Sequence, residues 1–307
     1  MTNLICIAGP TASGKTALSI ALARELDGEV VSCDSMQVYK YMDIGTAKPT
    51  VPERAGIPHH MLDVAEPDED FSVSRYCEMA SPIVDDILAR GKTAIITGGT
   101  GLYMDALIRG NAFAPFPSTG VREKLEQQPI EAVYKQLQQV DPDAAARLHL
   151  ADKKRIIRAM EVYLETGETI TAHNLKTQSI APKYNPVWFA LEDENRSDLY
   201  ERIDRRVEQM VDAGLMEEIR MLLDRGIPEK STAMQAIGYK EFLQVFRGQA
   251  SMEEAIAQVQ QSSRKYAKRQ LTWFRRNKAI HWLRRAQNEQ TNEILEKARR
   301  ILLNSDN

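Results

Sequence analysis

Residues 9–16 read Gly9-Pro10-Thr11-Ala12-Ser13-Gly14-Lys15-Thr16, the complete GxxxxGKS/T pattern of a phosphate-binding loop. The pattern follows an apolar run, LICIA at residues 4–8, and leads into a helical pattern. Backbone N–H groups of such a loop surround an anion, and the following helix adds the positive end of its dipole. We expect Lys15 to reach the terminal phosphate and the Thr16 hydroxyl to hold Mg²⁺. The loop does not specify which phosphorylated compound it binds.

Strands and helices alternate on both sides of this loop and its helix. Apolar runs bounded by turn residues predict further strands at 29–33 and 93–97, with a helix from about Ser74 to Arg90 between them. Another apolar run predicts a returning strand at 187–191. This alternation favours an α/β fold, a P-loop parallel sheet core flanked by helices, with ligands at the carboxyl ends of the strands.

The sequence between these strands has a different character. After Pro115 and Pro117 it is polar and helical without a convincing strand, which predicts a helical insertion domain at 116–182. The core domain would then consist of 1–115 and 183–307. From Arg196 onward, every pattern favours helix.

The composition excludes several classes of protein. With 307 residues, 43% of them hydrophobic and 27% charged, the chain is neither collagen-like nor wholly disordered. The three cysteines, Cys6, Cys33 and Cys77, are isolated and odd in number, which favours a reduced compartment. The N-terminus does not resemble a signal peptide, and no stretch is apolar for long enough to span a membrane. We therefore expect a soluble cytoplasmic protein.

Charge is unevenly distributed along the chain. The net charge is −3, yet the segment from Ala255 to Asn288 has nine basic residues and no Asp or Glu. Such a basic segment indicates either a polyanionic partner or a solvated helix face. Lys265, Lys268 and Arg269 are candidates for phosphate contacts. Aromatic residues interleave with the bases, so Trp273 and Phe274 either stack on nucleic-acid bases or pack in the core.

Two further positions lie at the predicted carboxyl edge of the sheet. Asp34 ends the second strand, where it could be a general base, an N-cap or a group that hydrogen-bonds a Mg²⁺ ligand. Gly98-Gly99-Thr100-Gly101 ends the third, and Thr100 could offer its hydroxyl to substrate. The adjacent His59 and His60 cannot easily share one metal, and no other cluster predicts a metal site.

Seven segments together carry a family resemblance. The chain resembles the bacterial tRNA dimethylallyltransferases, also called tRNA isopentenyltransferases. The resemblance runs in order along essentially the whole chain through GPTASGKT (9–16), SCDSMQVYKYMDIGTAKP (32–49), PHHMLD (58–63), GGTGLY (98–103), RIIRAMEVY (155–163), MQAIGYKE (234–241) and RKYAKRQLTWFRR (264–276).

The resemblance implies a reaction and a set of site residues. The family transfers a dimethylallyl group from dimethylallyl diphosphate to N6 of the adenosine 3′ of the anticodon in tRNA. By this resemblance the loop, Gly9 to Thr16, binds the diphosphate, with Mg²⁺ on Thr16. The implied catalytic residues are Asp34, Lys15, Thr100 and Arg122. The implied tRNA contacts are Asp34, Ser35, Met36, Gln37, Thr100, Arg122, Lys154, Arg155, Ile156, Ile157, Arg158, Gln235, Ala236, Ile237, Gly238, Tyr239 and Lys240. Some relatives have arginine where this chain has Gln235.

Two other functions fit a phosphate-binding loop. An ATP-dependent small-molecule kinase would share the loop, the parallel sheet and a helical lid, but it needs no acid-free basic segment. A P-loop switch that binds RNA without catalysis leaves Asp34 and Thr100 at the phosphate edge unexplained. The expected partners are therefore a tRNA anticodon stem-loop and dimethylallyl diphosphate, with no membrane, and the expected state is a monomer.

Overall fold

The computed structural model describes residues 3–110, 119–179 and 181–305. The chain divides into two compact units, the first formed by Met1–Gly110 with Tyr184–Asn307 and the second by Asn111–Lys183. The predicted boundary at 116, with Pro115 and Pro117, lies outside the described residues. No helix in the described ranges is long and apolar enough to cross a membrane.

The elements are numbered in chain order. The first segment contains β1 (Leu4–Ala8), α1 (Lys15–Glu25), β2 (Gly28–Ser32), α2 (Val51–Arg54), β3 (His59–His60), α3 (Val73–Ala89), β4 (Thr93–Gly98) and α4 (Gly101–Arg109). The second unit contains α5 (Val121–Glu126), α6 (Ile130–Val140), α7 (Pro142–Arg147), α8 (Lys153–Thr166) and α9 (Ile170–Ser179). The chain then returns to the first unit with β5 (Val187–Asp193), α10 (Arg196–Asp212), α11 (Leu215–Asp224), α12 (Tyr239–Phe246), α13 (Met252–Phe274), β6 (Ile280–Arg285) and α14 (Thr291–Ser305).

The first unit is built on a six-stranded sheet in the order β3-β2-β4-β1-β5-β6, in which every pairing is parallel. The predicted parallel α/β core is confirmed, and the four predicted strands match β1, β2, β4 and β5 to within one or two residues. Since all strands run the same way, the phosphate loop after β1, Asp34 after β2 and Thr100 after β4 share one edge of the sheet.

The expectation that everything after Arg196 is helical is wrong. Residues 280–285 form β6, an edge strand paired only with β5. Ile280 and Leu283 are buried on it, whereas Arg284 is exposed. The basic segment therefore does not lie on one helix, because its last two arginines, Arg284 and Arg285, belong to the sheet.

The core of the first unit explains why its strands are apolar throughout. Ile5, Ile7 and Phe189 on the central strands are fully buried, with α1 packed against them through Leu18 and Leu22. Burying one such side chain stabilises the fold by about 1.5–3 kcal/mol. The apolar face of α14 belongs to the same cluster.

The second unit has a small helical core of its own. Val133 and Leu137 of α6 pack with Ile156 and Met160 of α8. The buried carboxylate of Asp141 caps α7 by accepting the Ala144 N–H, and it also accepts the Thr171 N–H and hydroxyl at the start of α9. These hydrogen bonds hold the pKa of Asp141 below its usual value against the effect of burial.

Candidate active site

The phosphate loop joins β1 to α1 in the geometry that the pattern predicts. Gly14 has a φ of +91°, a left-handed backbone conformation that favours glycine. A methyl group there would also lie 2.8 Å from a guanidinium nitrogen of Arg285, which would have to shift. The Lys15 ammonium donates to the Pro10 carbonyl oxygen at 2.6 Å and spans the loop. Burial lowers the pKa of Lys15 to about 8, an effect that nearby Asp34 opposes and Arg206 reinforces.

A cavity of about 340 Å³ opens at the carboxyl edge of the sheet, all of it within the first unit. The phosphate loop contributes Thr11, Lys15 and Thr16, and the end of β2 contributes Asp34 and the three residues after it. One face each of α10 and α13 forms much of the remaining wall. Its apolar and aromatic side chains are Ile203, Val207, Met210, Val259 and Tyr266, and the same two helices also contribute the cations Arg206 and Arg269. The cavity therefore has a cationic end and an apolar side.

Asp34 uses one carboxylate oxygen in a turn. Its Oδ1 accepts the backbone N–H of Met36 at 2.9 Å and that of Gln37 at 3.4 Å. The other oxygen has no hydrogen bond in the part of the chain that the structure describes. Residues 35–38 form a turn and not a helix, so Asp34 stabilises a turn and does not cap a helix. The general-base role stays open, because the turn uses only one of the two carboxylate oxygens.

Thr100 lies close to Asp34 but its hydroxyl is already engaged. Its Oγ1 accepts the Ser35 N–H at 3.0 Å and donates to the Ser35 hydroxyl at 3.3 Å. Burial raises the pKa of Tyr266, which lines the same cavity, to about 12. Thr100 therefore fixes the turn that carries Asp34, and a contact of its hydroxyl with substrate stays a prediction.

Gln37 fixes another wall of the cavity. Its side-chain nitrogen donates to the carbonyl oxygens of Thr46 and Ala47, both at 3.2 Å, and its side-chain oxygen accepts from the Ser32 hydroxyl. Gly45, Thr46 and Ala47 in turn line the cavity. The amide of Gln37 thus positions a loop of the site, and its predicted tRNA contact remains untested.

Two residues that the sequence did not single out support the same loop. The buried carboxylate of Glu218 accepts the backbone N–H groups of Asp43, Ile44 and Gly45 at 2.8–3.1 Å. The buried ammonium of Lys48 donates to the Tyr39 carbonyl oxygen and pairs with Asp43 and Asp63. Both charged side chains are buried, a property that the local sequence does not reveal.

Arg206 is a third residue of the site, and it lies outside the motifs of the sequence. It lines the cavity from α10, and burial lowers its pKa while the charge of Asp34 opposes that shift. It makes no hydrogen bond or ion pair among the residues described. Ile203, Val207 and Met210 share its helix face. A single cation within an apolar stripe was the available signal.

The segment Gln235–Lys240 is only partly accessible. Gln235, Ala236, Ile237 and Gly238 line the cavity, and Lys240 is exposed. Tyr239 is fully buried, and its hydroxyl donates to Glu218 at 2.6 Å. The ring of Tyr239 therefore faces the core, and the tRNA contact predicted for the stretch Gln235–Lys240 stays a prediction.

The second unit holds the remaining predicted residues. Arg122, Arg147, Lys154, Arg155 and Arg158 line a cavity of about 460 Å³ in this unit. Arg122 also pairs with Glu126 and Glu161. The side chains of Ile156 and Ile157 are buried in the helical core, and the tRNA contact predicted for the stretch Lys154–Arg158 stays a prediction.

The exposed face of α13 carries the predicted phosphate contacts. Lys265, Lys268 and Arg269 are exposed, and the Arg269 guanidinium also lies over the Tyr266 ring. Phe274 is buried, which confirms core packing for that residue. Trp273 donates from its indole nitrogen to Asp105 at 2.9 Å, and a methyl group on Gly101 would overlap its ring. Trp273 thus packs against α4.

Comparison with known proteins identifies relatives over most of the chain. A family model described as IPP transferase matches residues 37–277. A tRNA dimethylallyltransferase of Acetivibrio thermocellus is 41% identical over 300 residues, 96% of each chain. Another from Anoxybacillus flavithermus is 47% identical over 281 residues, 91% of this chain and 89% of the relative.

Solved structures that resemble this chain are also transferases that act on tRNA. The tRNA isopentenylpyrophosphate transferase of Bacillus halodurans has a TM-score of 0.74 and 41% identity, covering 97% of this chain and 95% of the other. A eukaryotic dimethylallyltransferase acting on tRNA has a TM-score of 0.85 and 30% identity, covering 97% of this chain and 77% of the other.

Proposed function

The chain belongs to the IPP transferase family, and we propose that it transfers a dimethylallyl group from dimethylallyl diphosphate to N6 of the adenosine immediately 3′ of the tRNA anticodon. The observation that carries this proposal is the cavity at the carboxyl edge of the sheet. Three kinds of group line this one cavity. They are the phosphate loop with Lys15, the carboxylate of Asp34 with one oxygen available, and a set of apolar side chains. An allylic diphosphate and an amine nucleophile need these three environments together.

The cationic end of the cavity suits the leaving group. Diphosphate gains negative charge as the bond from carbon to oxygen breaks, and preorganised donors stabilise that charge. The backbone N–H groups of the phosphate loop, the Lys15 ammonium and the Arg206 guanidinium are the donors in reach of this space. Loss of one such donor typically costs about 3–4 kcal/mol of transition-state stabilisation.

Mg²⁺ is the ion that we propose for this end of the cavity. The Thr16 hydroxyl lines the cavity, makes no hydrogen bond within the described ranges and is a hard oxygen ligand of the kind Mg²⁺ prefers. Diphosphate oxygens would supply further ligands. When bound, the ion would add positive charge beside the leaving group. Among the described residues no group of three His, Cys, Asp or Glu could form a separate metal site.

Asp34 suits the acceptor side of the reaction. The lone pair of adenine N6 is delocalised into the ring, so the amine is a poor nucleophile until its proton is removed. A carboxylate within hydrogen-bond reach takes this proton while the bond from N6 to the allylic carbon forms. The free oxygen of Asp34 is the candidate general base, because the turn occupies only the other oxygen.

The tRNA would bind through its anticodon stem-loop. The target adenosine must leave its stack to reach a cavity at the edge of a sheet. The exposed cations of α13 and the basic residues around Arg158 in the second unit are the surfaces that we propose for its phosphates. We propose further that the protein acts as a monomer in the cytoplasm.

One assay separates this function from an ATP-dependent kinase. The purified protein is incubated with an anticodon stem-loop and either dimethylallyl diphosphate or ATP, and the RNA is analysed by mass spectrometry. We expect the RNA to gain one dimethylallyl group in place of a hydrogen, with release of diphosphate. A stem-loop with guanosine at the target position is the matched control. Hydrolysis of ATP without modified RNA would contradict the proposal.

A further inference from the structure

Gln270 bridges two loops of the site from the buried face of α13. Its side-chain oxygen accepts the backbone N–H of Thr11 in the phosphate loop at 3.0 Å. Its side-chain nitrogen donates to the carbonyl oxygen of Gly99, after β4, also at 3.0 Å. The residue is only 5% exposed; its hydrogen bond to Gly99 is buried, and the one to Thr11 is partly buried.

The two loops that Gln270 joins have different parts in the proposed reaction. Thr11 belongs to the loop proposed to hold the diphosphate. Gly99 precedes Thr100, whose hydroxyl accepts the Ser35 N–H beside Asp34. A continuous series of contacts therefore runs from the leaving-group loop through Gln270 to the turn that carries the candidate base.

The absence of a side chain on Gly99 leaves room for the amide of Gln270. A methyl group on Gly99 would overlap the Gln270 side-chain nitrogen, and it would also lie 3.6 Å from the Gly9 carbonyl oxygen. The glycine therefore allows the amide to reach the backbone of both loops. An amide is the side chain that can accept at one loop and donate at the other, whereas a carboxylate can only accept.

We infer that Gln270 is a positioning residue that sets the spacing between the phosphate loop and the turn of Asp34. This inference rests on the proposed function, in which the nucleophile and the allylic carbon must meet in line with the departing diphosphate. A misplacement of about 1 Å between such groups can lower the rate roughly 100-fold. Gln270 touches neither reacting group in this role and acts only through the two backbones that it joins.

The test compares two glutamines of the same helix. Gln270→Met removes both hydrogen bonds at similar volume, and Gln270→Glu keeps the acceptor for Thr11 but puts an oxygen against the Gly99 carbonyl. Gln260→Met is the matched control, because Gln260 also lies on α13 and its amide bonds instead to Asp204 and Glu208. The kcat, the KM for dimethylallyl diphosphate and the Kd for the stem-loop are measured where circular dichroism shows each variant folded.

We expect both Gln270 variants to lower kcat by roughly 10- to 100-fold while the Kd for RNA changes less than about twofold. The control should retain the wild-type constants. Kinetic constants of the Gln270 variants equal to those of Gln260→Met would overturn the inference. So would a loss of activity that only follows a lower folded fraction, since that marks a purely structural role. A wild-type protein that does not modify RNA would instead contradict the proposed function itself.

Discussion

The hydroxyl of Tyr239 donates to the carboxylate of Glu218 at 2.6 Å, with both side chains buried. The same carboxylate accepts three consecutive backbone N–H groups of the loop 43–45. Tyr239 also packs so tightly on Gly45 that a methyl group there would lie 2.5 Å from the ring. One carboxylate therefore holds a wall of the cavity against α12.

Glu218→Ala should destabilise the protein, because it leaves three loop N–H groups and the Tyr239 hydroxyl without their acceptor. We expect a loss of about 2–4 kcal/mol in the free energy of unfolding. Urea unfolding measures the change. Glu217→Ala, one position earlier and exposed, is the control and should change stability by less than about 0.5 kcal/mol. Equal stability of the two variants would show that the loop does not depend on Glu218.

The sequence predicted the central strands and the phosphate loop, because these elements depend on residues that are close together in the chain. The strands LICIA at 4–8 and TAIIT at 93–97 are apolar on both faces because helices cover both sides of the sheet. The phosphate loop is fixed by its own glycines. The shared sheet edge of this loop and Asp34 then followed from parallel topology alone.

The residues that were missed depend on contacts between distant segments. Strand β6, IHWLRR, combines three apolar residues with a histidine and two arginines, and its identity comes from pairing with β5. Arg206 shares a helix face with Ile203, Val207 and Met210, but only the packing of α10 shows that this face lines the cavity. Tyr239 lies within a predicted RNA-contact segment but reaches Glu218, which is 21 residues away in the sequence. A local sequence pattern does not predict a contact between residues so far apart in the chain.

Asp34→Asn separates the two tasks of this side chain. The amide oxygen of Asn can still accept the Met36 N–H and keep the turn, but the group cannot remove a proton from N6. We expect kcat to fall roughly 10²- to 10⁴-fold with nearly unchanged RNA binding. Single-turnover kinetics and a binding titration measure the two effects. Asp34→Ala, which also loses the turn, is the comparison, and a kcat of Asp34→Asn within a few-fold of wild type would exclude the general-base role.

The lowered pKa of Lys15 predicts a pH dependence of diphosphate binding. Burial lowers this pKa to about 8, so the ammonium loses its proton as the pH rises through that value. A bound anion favours the charged form, which moves the loss to somewhat higher pH. We expect the Kd for inorganic diphosphate, measured by calorimetry, to rise roughly tenfold from pH 7 to the fully deprotonated limit.

Lys15→Arg is the matched variant for this measurement, because arginine keeps its charge over the whole range. The Kd of Lys15→Arg should change with pH only because diphosphate itself titrates, and this contribution is the same for wild type. If wild type and Lys15→Arg show parallel curves up to pH 10, the ammonium of Lys15 does not contribute its charge to the anion site.

Glu29 predicts a pH dependence of stability that is independent of the active site. Hydrogen bonds from Arg90 lower the pKa of this buried carboxylate to about 2, with smaller contributions from His60 and Lys92. The stabilisation is complete above the ordinary pKa near 4.5 and disappears as the pH falls toward about 2. Glu29→Gln should therefore lose about 3 kcal/mol at pH 7 and nothing near pH 2, as measured by thermal unfolding.

The exposed pair of Glu66 with Lys40 provides the control for this experiment. Glu66→Gln should change stability by less than about 1 kcal/mol at any pH, because water screens the pair. A constant difference between wild type and Glu29→Gln from pH 7 to pH 2 would show that the carboxylate charge of Glu29 is not what stabilises the fold.

The exposed face of α13 is tested most directly by the salt dependence of RNA binding. Lys265 and Lys268 are exposed there, and Arg269 is spared because it also covers Tyr266. If both lysines contact phosphates, Lys265→Ala with Lys268→Ala should weaken binding at moderate salt. It should also flatten the slope of log K against log salt by somewhat under one unit per lost contact.

Arg24→Ala with Arg300→Ala removes two exposed charges from α1 and α14 and should leave the slope unchanged. Melting curves exclude misfolding, and the affinity for dimethylallyl diphosphate should stay at the wild-type value. Equal slopes for the two double variants would mean that these lysines are only solvated.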